Sequence, residues 1–365
     1  MTFQTIGFIG LGLIGGSIAQ KIKSNNPDAR IYASARHAGT VEEAHRMGLI
    51  ENSAPLMLTD FSGCDLIFLC APVEHNIEYL RKLKGIIKPD CFITDVGSTK
   101  TAIHEEVIRL QMEKNFIGGH PMTGSEKTGL IYANESLLEN AYYIITPTDA
   151  VPRADVQQFR DFVASLGSIP LILDYTTHDY ATAAISHLPH MIAFSLVNLV
   201  QRMDTKNETM KAIAAGGFKD ITRIASSSPV MWQNICSSNQ KQLLLLMDQY
   251  IEMLSALRAD IAGNRKQALL DYFQSAKDYR DSFAVPGVKS ADRCYELFVD
   301  LADEAGGIAT IAIILAFQQI NIKNIGIIHN REFEDGVLRI EFYDEASSLH
   351  AQELLVRHNY VIHKR

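Results

Sequence analysis

A glycine-rich segment near the start of the chain has the pattern Gly-x-Gly-x-x-Gly at residues 10–15. It follows a short apolar run at residues 6–9 and precedes small and apolar residues that suit a helix. In a strand-turn-helix context the first glycine permits a tight turn, the second admits a pyrophosphate, and the third lets the helix pack closely. The N–H groups at the helix start then bind phosphate oxygens. The pattern predicts a dinucleotide site formed by Gly10, Gly12, Leu13, Ile14 and Gly15.

Short strand-like runs alternate with helical stretches from residue 6 to about residue 173. This alternation is typical of βαβ units, which build a parallel sheet with helices on both faces. The first three runs are almost entirely apolar, as expected for strands that are covered on both sides. We therefore predict an α/β domain with a Rossmann-type parallel sheet at residues 1–173. The predicted strands are residues 6–9, 30–34, 65–70, 91–96, 116–118, 142–146 and 169–173.

The sequence changes character at residue 174, after which helix-forming residues dominate up to residue 283. In one long segment apolar residues recur every three or four positions, which indicates an amphipathic helix. They are Leu243, Met247, Ile251, Leu254, Leu257 and Ile261. We predict an all-helical second domain at residues 174–283. It carries more apolar surface than one buried face requires, so we expect it to pack against a second subunit in a homodimer.

A Val-Pro-Gly turn at residues 285–287 interrupts the helical pattern and predicts a linker at residues 284–292. The remaining residues, 293–365, have the order βαββαβ and predict a small independent α+β domain. The predicted strands are residues 296–301, 325–329, 337–342 and 360–363, and the predicted helices are residues 308–319 and 346–357.

The charge balance limits the classes of partner. Lys and Arg number 34 and Asp and Glu number 42, which gives a formal net charge of −8. A chain with this net charge lacks the overall positive potential that attracts nucleic acid, so we expect no nucleic-acid partner. The first residues carry no basic segment, and the apolar stretch at 306–317 is shorter than the roughly 20 residues of a membrane span. We expect a cytoplasmic protein without a membrane partner.

The end of the second predicted strand bears on which dinucleotide binds. An acidic residue there usually accepts from the adenosine 2′-hydroxyl of NAD. This chain instead has Ser34, Ala35 and Arg36, and a guanidinium can pair with the 2′-phosphate of NADP or simply lie in solvent beside the adenine. Ser34 and Arg36 are candidate cofactor contacts, as are Ala71 and Pro72 after the third predicted strand.

Three further segments combine residues that suit a dehydrogenase. One follows a predicted strand and contains Ser98, and the next follows the neighbouring strand and contains His120. Both lie where open α/β sheets place their ligands. A helical segment then supplies Arg223, a cation that could hold an acidic substrate, and His120 could accept a hydroxyl proton.

Each residue also has a plain structural interpretation. A loop histidine such as His120 could simply be solvated, and Ser98 could only cap the next helix. Asp220 and Arg223 could be a surface pair at i, i+3 on one helix. His187 and His190 could bind a metal, but the sequence offers no third ligand at a suggestive spacing, and we predict no metal site.

Five motifs in order make the chain resemble the prephenate dehydrogenase family. They are Gly-Leu-Gly-Leu-Ile-Gly-Gly-Ser at 10–17, Asp-Val-Gly-Ser-Thr-Lys at 95–100, His-Pro-Met-Thr-Gly-Ser-Glu at 120–126, Ser-His-Leu-Pro-His at 186–190 and Gly-Gly-Phe-Lys-Asp-Ile-Thr-Arg-Ile-Ala at 216–225. The tail at residues 293–365 resembles an ACT domain, with its ligand-binding turn at residues 303–307. The resemblance covers nearly the whole chain.

The resemblance implies oxidative decarboxylation of prephenate to 4-hydroxyphenylpyruvate and CO₂, with NAD slightly favoured over NADP. It implies that His120 takes the proton of the substrate hydroxyl and that Ser98 bonds the same hydroxyl and orients the imidazole. It places Arg223 on a substrate carboxylate, with Asp220 steadying it. The residues implied to line or gate the substrate pocket are His190, Ser125, Glu126 and Trp232.

In the tail, the resemblance implies that L-tyrosine regulates the enzyme, and the candidate contacts are Asp303, Gly306, Gly307 and Asn321. Three alternatives remain open at this level: an arogenate dehydrogenase, a β-hydroxyacid dehydrogenase, and a dinucleotide-sensing protein without activity. A β-hydroxyacid dehydrogenase would use a helical lysine as its acid or base. The only lysine of the third segment, Lys219, lies beside Asp220 and Arg223, which fits the prephenate dehydrogenase pattern better.

Overall fold

The computed structural model describes residues 3–124, 127–283, 295–301, 305–328 and 336–363. The chain forms two compact units, Met1–Leu269 and Leu270–Arg365. The predicted linker at residues 284–292 and its Val-Pro-Gly turn lie outside the described residues.

The first unit begins with a four-stranded parallel sheet in the order β2-β1-β3-β4. The chain fills one side of β1 with β2 and then crosses to the other side with β3, so the strand order reverses next to β1 and creates a crevice at the carboxyl ends. Every residue of β3 is buried, as its apolar sequence predicts. The strands are β1 (Thr5–Ile9), β2 (Arg30–Ser34), β3 (Leu66–Leu69) and β4 (Phe92–Asp95), and the helices are α1 (Leu13–Asn25), α2 (Ala38–Arg46), α3 (Val73–Leu83) and α4 (Thr101–Arg109).

Three more strands continue this architecture: β5 (Ile117–Pro121), β6 (Tyr142–Pro147) and β7 (Ile169–Ile172), with α5 (Arg153–Ser165) between the last two. A parallel bridge between Ile93 and Phe116 links β4 to this group. β6 and β7 are parallel, but β5 is antiparallel to β6, so the prediction of a parallel sheet is wrong at this one pair. A parallel pair needs a long crossover, usually a helix. The described residues between β5 and β6 form only short 3₁₀ turns.

Helices then dominate, as predicted. They are α6 (Tyr175–Thr182), α7 (Leu188–Met203), α8 (Thr209–Ile213), α9 (Gly216–Thr222), α10 (Pro229–Ser238), α11 (Gln240–Ala262) and α12 (Lys266–Asp281). A π-helical turn, Ala183–His187, joins α6 to α7 without a break. By length and composition alone, the run Tyr175–Met203 is apolar enough to cross a membrane. It nevertheless contains the buried polar residues His178, Asp179 and His187, which would be costly in lipid.

The second unit ends with the predicted βαββαβ order. Its four strands form an antiparallel sheet in the order β11-β8-β10-β9. One core cluster joins the sheet to both helices and includes Leu297, Val299, Ile311, Leu338 and Leu355. The elements are β8 (Tyr295–Leu301), α13 (Gly307–Phe317), β9 (Ile322–Ile328), β10 (Gly336–Phe342), α14 (Glu345–Arg357) and β11 (Ile362–His363). A small α+β domain is therefore confirmed, with each element within a few residues of its predicted bounds.

Candidate active site

The glycine-rich turn between β1 and α1 has the geometry that a dinucleotide requires. Gly10 has φ +96°, and a Cβ there would lie 2.9 Å from the carbonyl carbon and oxygen of Cys70. A Cβ on Gly15 would lie 2.9 Å from the Gly10 carbonyl oxygen, so the helix packs directly on the turn. Gly12 precedes the first residue of α1, and a Cβ there would meet no atom within 4 Å. The space over the turn is open beside the uncapped helix start, which fits a pyrophosphate.

Two neighbouring strand ends extend this dinucleotide surface. At the end of β2, the Ser34 carbonyl accepts from the Gly10 N–H at 2.8 Å, and Arg36 is exposed. After β3, the turn at Ala71 and Pro72 is fixed by the buried Asn76, which donates to the Leu69 carbonyl at 3.2 Å and accepts from the Ala71 N–H at 3.1 Å. Asn76 was missed by the sequence analysis. Its signal is a polar residue on the buried face of an amphipathic helix.

The buried Asp95 at the end of β4 ties together the two segments that carry Ser98 and His120. Its Oδ2 accepts from the Gly97 N–H at 2.9 Å and pairs with the buried ammonium of Lys100. Its Oδ1 accepts from the Gly119 N–H at 3.3 Å. Asp95 therefore fixes the loop of Ser98 against the strand that ends with His120.

The imidazole of His120 contacts a second buried imidazole rather than Ser98. His120 Nδ1 and His178 Nε2 are 2.8 Å apart, and the two rings meet edge to face. His178 Nδ1 in turn lies 2.8 Å from Oδ1 of Asp179. Within the described part of the chain, no hydrogen bond joins the half-buried Ser98 to His120, and the imidazole partner of His120 is His178. Ser98 does not cap α4 either, because the Asp179 carboxylate accepts from the Lys100 and Thr101 N–H groups at 2.7 Å.

The pKa shifts of His120, His178 and Asp179 indicate two neutral imidazoles beside an ionised carboxylate. Burial lowers the pKa of His120 well below its usual value, and the nearby His178, Lys100 and His187 lower it further. Burial also lowers the pKa of His178, although Asp179 opposes the shift. For Asp179, burial alone would raise the pKa, but hydrogen bonds from His178 and Thr101 outweigh it and the net pKa is lowered. At neutral pH His120 therefore has a free lone pair, which is the state required of a base.

The same helical run carries His187 and His190 toward a second group of side chains. The ring of His190 stacks on Trp232 at 3.8 Å between centroids, and its Nδ1–H donates to the Ser186 carbonyl at 2.9 Å. Trp232 is only 5% exposed, and its Nε1 has no hydrogen-bond partner among the described residues. His187 Nδ1 lies 3.3 Å from Nδ2 of Asn239. The described residues contain no cluster of three side chains suited to a metal.

The predicted carboxylate clamp lies at the end of α9. Arg223 and Asp220 are both exposed, and Arg223 begins the short 3₁₀ turn Arg223–Ser226. The pKa of His190 is lowered by burial and by the positive charge of Arg223, which places the guanidinium near that ring. The structure thus brings His190, Trp232 and Arg223 into one neighbourhood. Ser125 and Glu126 lie outside the described residues.

His178 and Asp179 were not predicted from the sequence, and they lie 58 and 59 positions from His120. Their only sequence signal is a His-Asp pair within a short helix that otherwise consists of threonine, tyrosine and alanine. Both side chains are fully buried. Polar side chains are buried in proteins when they have hydrogen-bond partners, as these two do.

Comparisons with known proteins match both parts of this unit. Residues 18–169 match the family model "Prephenate dehydrogenase, nucleotide-binding domain", and residues 174–275 match "Prephenate dehydrogenase, dimerization domain". A curated Bacillus subtilis relative named prephenate dehydrogenase is 36% identical over 354 residues, which cover 96% of this chain and 95% of the relative. Among solved structures, prephenate dehydrogenase from A. aeolicus in complex with hydroxyphenyl propionate and NAD+ has a TM-score of 0.72 at 29% identity and covers 77% of this chain and 98% of that one. The structure of Synechocystis arogenate dehydrogenase has a TM-score of 0.68 at 30% identity, and the match covers 77% of this chain and 100% of that one.

Proposed function

This chain belongs to the prephenate dehydrogenase family, and we propose that His120 is the base with which it acts on prephenate. The chain is an NAD(P)-dependent oxidoreductase that converts prephenate to 4-hydroxyphenylpyruvate and CO₂. The observation that carries the role of His120 is the position of its ring, which lies at the end of β5 with Nδ1 at 2.8 Å from Nε2 of the buried His178.

In the proposed mechanism His120 Nε2 accepts the proton of the C4 hydroxyl while C4 loses a hydride. The bound nicotinamide supplies the hydride acceptor. The electron pair of the bond to the departing carboxylate enters the ring, which becomes aromatic, and the oxygen at C4 takes a proton back. Ser98 bonds the same hydroxyl from the loop that Asp95 fixes. The main task of the site is positioning, because aromatisation drives the reaction once C4 faces the cofactor.

The substrate carboxylate is proposed to bind Arg223, with Asp220 holding the guanidinium. His190 and Trp232 form one wall of the pocket, and the stacked rings offer a flat surface to the substrate ring. Ser125 and Glu126 are proposed to line or gate the pocket by their resemblance to the family motif alone.

Arogenate differs from prephenate in carrying an amino group in place of the side-chain keto group, and arogenate dehydrogenase is a similar solved structure. We propose prephenate as the preferred substrate because two curated relatives that align with 96% of this chain carry the name prephenate dehydrogenase. Steady-state rates at 340 nm with each substrate and each cofactor test the proposal. A higher kcat/KM with prephenate supports it, and turnover of arogenate alone contradicts it. No turnover of either would leave a dinucleotide-sensing protein.

The cofactor is proposed to bind along the carboxyl ends of β1, β2 and β3. Gly10, Gly12, Leu13, Ile14 and Gly15 would hold the pyrophosphate through backbone N–H groups. Ser34 and Arg36 would contact the adenosine ribose, and Ala71 and Pro72 would lie along the dinucleotide. We propose a slight preference for NAD, which the A. aeolicus relative binds in its crystal structure. The exposed Arg36 also suits the 2′-phosphate of NADP.

Substituting Ala35→Asp tests this placement. The new carboxylate would repel a 2′-phosphate and accept from a 2′-hydroxyl, so we expect NADP use to weaken while NAD use is kept or improves. The measurement is kcat/KM for both cofactors, with Ala38→Asp at the start of α2 as the control. Equal effects of Ala35→Asp on both cofactors would show that this strand end does not face the ribose.

The protein is proposed to act as a homodimer through its helical region. Large apolar residues of α7 and α11 are exposed in the single chain, and they lie within the range that matches the dimerization-domain model. They include Leu199, Met203, Ile251, Leu254 and Ile261. A monomer rarely exposes such a surface, and a second copy would cover it.

We propose a cytoplasmic enzyme without a membrane or nucleic-acid partner.

The domain division proposed from the sequence is 1–173 for the dinucleotide, 174–283 for substrate and dimerisation, a linker at 284–292, and 293–365 for regulation. The last domain is proposed to be an ACT domain that binds L-tyrosine. Its order 4-1-3-2 of antiparallel strands suits that assignment. Gly306, with φ +93°, and Gly307 form the turn into α13, and Asn321 precedes β9. Asp303, the remaining candidate contact, lies outside the described residues.

Tyrosine is expected to inhibit the full-length enzyme, and Asn321→Ala is expected to relieve the inhibition. Bound tyrosine would lower the affinity for the substrate through a coupling free energy between the two sites. Such couplings are about 1 to 3 kcal/mol, which corresponds to roughly 5- to 150-fold in affinity. The measurement is the rate at 340 nm against tyrosine concentration. Asn324→Ala, on the adjacent strand, is the matched control and should remain inhibited. If millimolar tyrosine changes neither the rate nor the thermal midpoint of the full-length enzyme, tyrosine regulation is contradicted.

A further inference from the structure

We infer that His178 and Asp179 are positioning residues that fix the tautomer of His120, with its proton on Nδ1 and its lone pair on Nε2. The inference rests on the proposed role of His120 as a base. It adds a reason why Nε2 of His120, and not Nδ1, is the basic nitrogen. Neither the family match nor the sequence motifs specify this.

The hydrogen-bond chain allows one arrangement of protons when both rings are neutral. An ionised carboxylate only accepts, so the Asp179 contact at 2.8 Å requires a proton on His178 Nδ1. A neutral imidazole has one N–H, so His178 Nε2 is then an acceptor. The contact at 2.8 Å from His178 Nε2 to His120 Nδ1 therefore requires a proton on His120 Nδ1. His120 Nε2 is left as the basic nitrogen.

The two positioning residues are themselves held on several sides. Oδ1 and Oδ2 of Asp179 accept from the N–H groups of Lys100 and Thr101 at 2.7 Å, at the start of α4. Asn239 Nδ2 donates to the Asp179 carbonyl at 2.7 Å, and Thr182 Oγ1 donates to the His178 carbonyl at 2.9 Å. Both side chains are fully buried. The His178 ring that contacts His120 is thus held by α6, by the start of α4 and by Asn239 just before α11.

Asp179 is the one anion of this hydrogen-bond chain, and its charge would stabilise the cation that forms when His120 accepts a proton. The charged and titratable groups that face His120 are His178, Lys100 and His187, all of which disfavour a positive ring. Asp179 is the carboxylate at the far end of the hydrogen-bond chain, and Asp95 is paired with Lys100. Removing the charge of Asp179 should therefore lower the basicity of His120 as well as change its tautomer.

The first test is nitrogen-15 NMR of the full-length enzyme with labelled histidines and no substrate. We expect neutral His120 to be protonated on Nδ1, assigned by comparison with His120→Asn. A His120 ring protonated on Nε2 in the wild type would overturn the inference. Because this readout needs no turnover, it is independent of whether prephenate is the substrate: an Nδ1–H ring in an enzyme inactive on prephenate would support the inference and overturn the proposed function.

The second test is Asp179→Asn, which keeps an oxygen for the start of α4 but can turn an NH₂ group toward His178 Nδ1. His178 would then carry its proton on Nε2 and force the proton of His120 onto its own Nε2. We expect kcat to fall by about 10²- to 10⁴-fold, with cofactor affinity nearly unchanged. The acidic limb of the kcat/KM profile should move to lower pH, which a loss of packing alone would not cause.

The matched control is His104→Gln, which replaces another buried histidine at the same end of the sheet. His104 Nε2 contacts Thr146 Oγ1 at 2.9 Å and makes no contact in the chain from His120 to Asp179. We expect it to change thermal stability but to leave the His120 tautomer and the pH profile as in the wild type. An Asp179→Asn enzyme with the wild-type tautomer and wild-type kcat would overturn the inference.

Discussion

His120→Asn is expected to lower kcat for prephenate by about 10²- to 10⁴-fold, the range for loss of a general base. The amide cannot accept and hold a proton as the imidazole does, although it can still hydrogen-bond His178. Cofactor affinity should be nearly unchanged, because His120 lies at the end of β5 and the glycine-rich turn follows β1. The measurements are steady-state turnover at 340 nm and cofactor affinity by fluorescence titration.

The control for this variant is His350→Asn, which changes an exposed histidine of α14. It should leave turnover and cofactor affinity at wild-type values. Turnover of His120→Asn close to that of the wild type would remove His120 from the mechanism.

Arg223→Ala is expected to raise KM for prephenate by about 30-fold or more while KM for the cofactor changes little. Truncating one partner of a buried charge pair costs about 2 to 5 kcal/mol, and 2 kcal/mol corresponds to roughly 30-fold in affinity. We expect the lower end of this range, because Arg223 is exposed in the free protein and water screens its charge. The measurement is KM for each reactant at several ionic strengths.

Lys211→Ala is the matched control for that prediction. Lys211 is another exposed cation of the helical region, and it pairs with Glu208 at 2.9 Å. Its removal should not change KM for prephenate beyond the effect of net charge. If KM for prephenate also stays at the wild-type value in Arg223→Ala, the proposed carboxylate contact is absent.

Local sequence patterns predicted the sheet domain well because each of its elements carries its own signal. The glycines at 10 and 15 specify a turn in which a Cβ would clash, Gly12 leaves the space over that turn open, and the apolar run of β3 specifies a strand buried on both faces. The βαββαβ tail was likewise predicted from alternating apolar patterns and turns. The family resemblance, based on five short motifs, is confirmed by the matches over residues 18–169 and 174–275.

Features that depend on distant contacts were not predicted. The direction of β5 depends on how the chain returns after residue 122, and the residues of β5 suit either direction. The partner of His120 lies on α6, and its identity emerges only when the helical region packs against the ends of β4 and β5. The orienting role proposed for Ser98 came from the family resemblance, whereas no motif of the sequence pointed to His178.

The most direct test of the central claim measures two products of one reaction. Wild-type enzyme with NAD and prephenate labelled in its ring carboxylate should release labelled CO₂ and form reduced cofactor in equal amounts. His120→Asn should lose both products together, since hydroxyl deprotonation precedes or accompanies both bond changes. Reduced cofactor formed without labelled CO₂, or no absorbance change at 340 nm with prephenate under either cofactor, would contradict oxidative decarboxylation at this site.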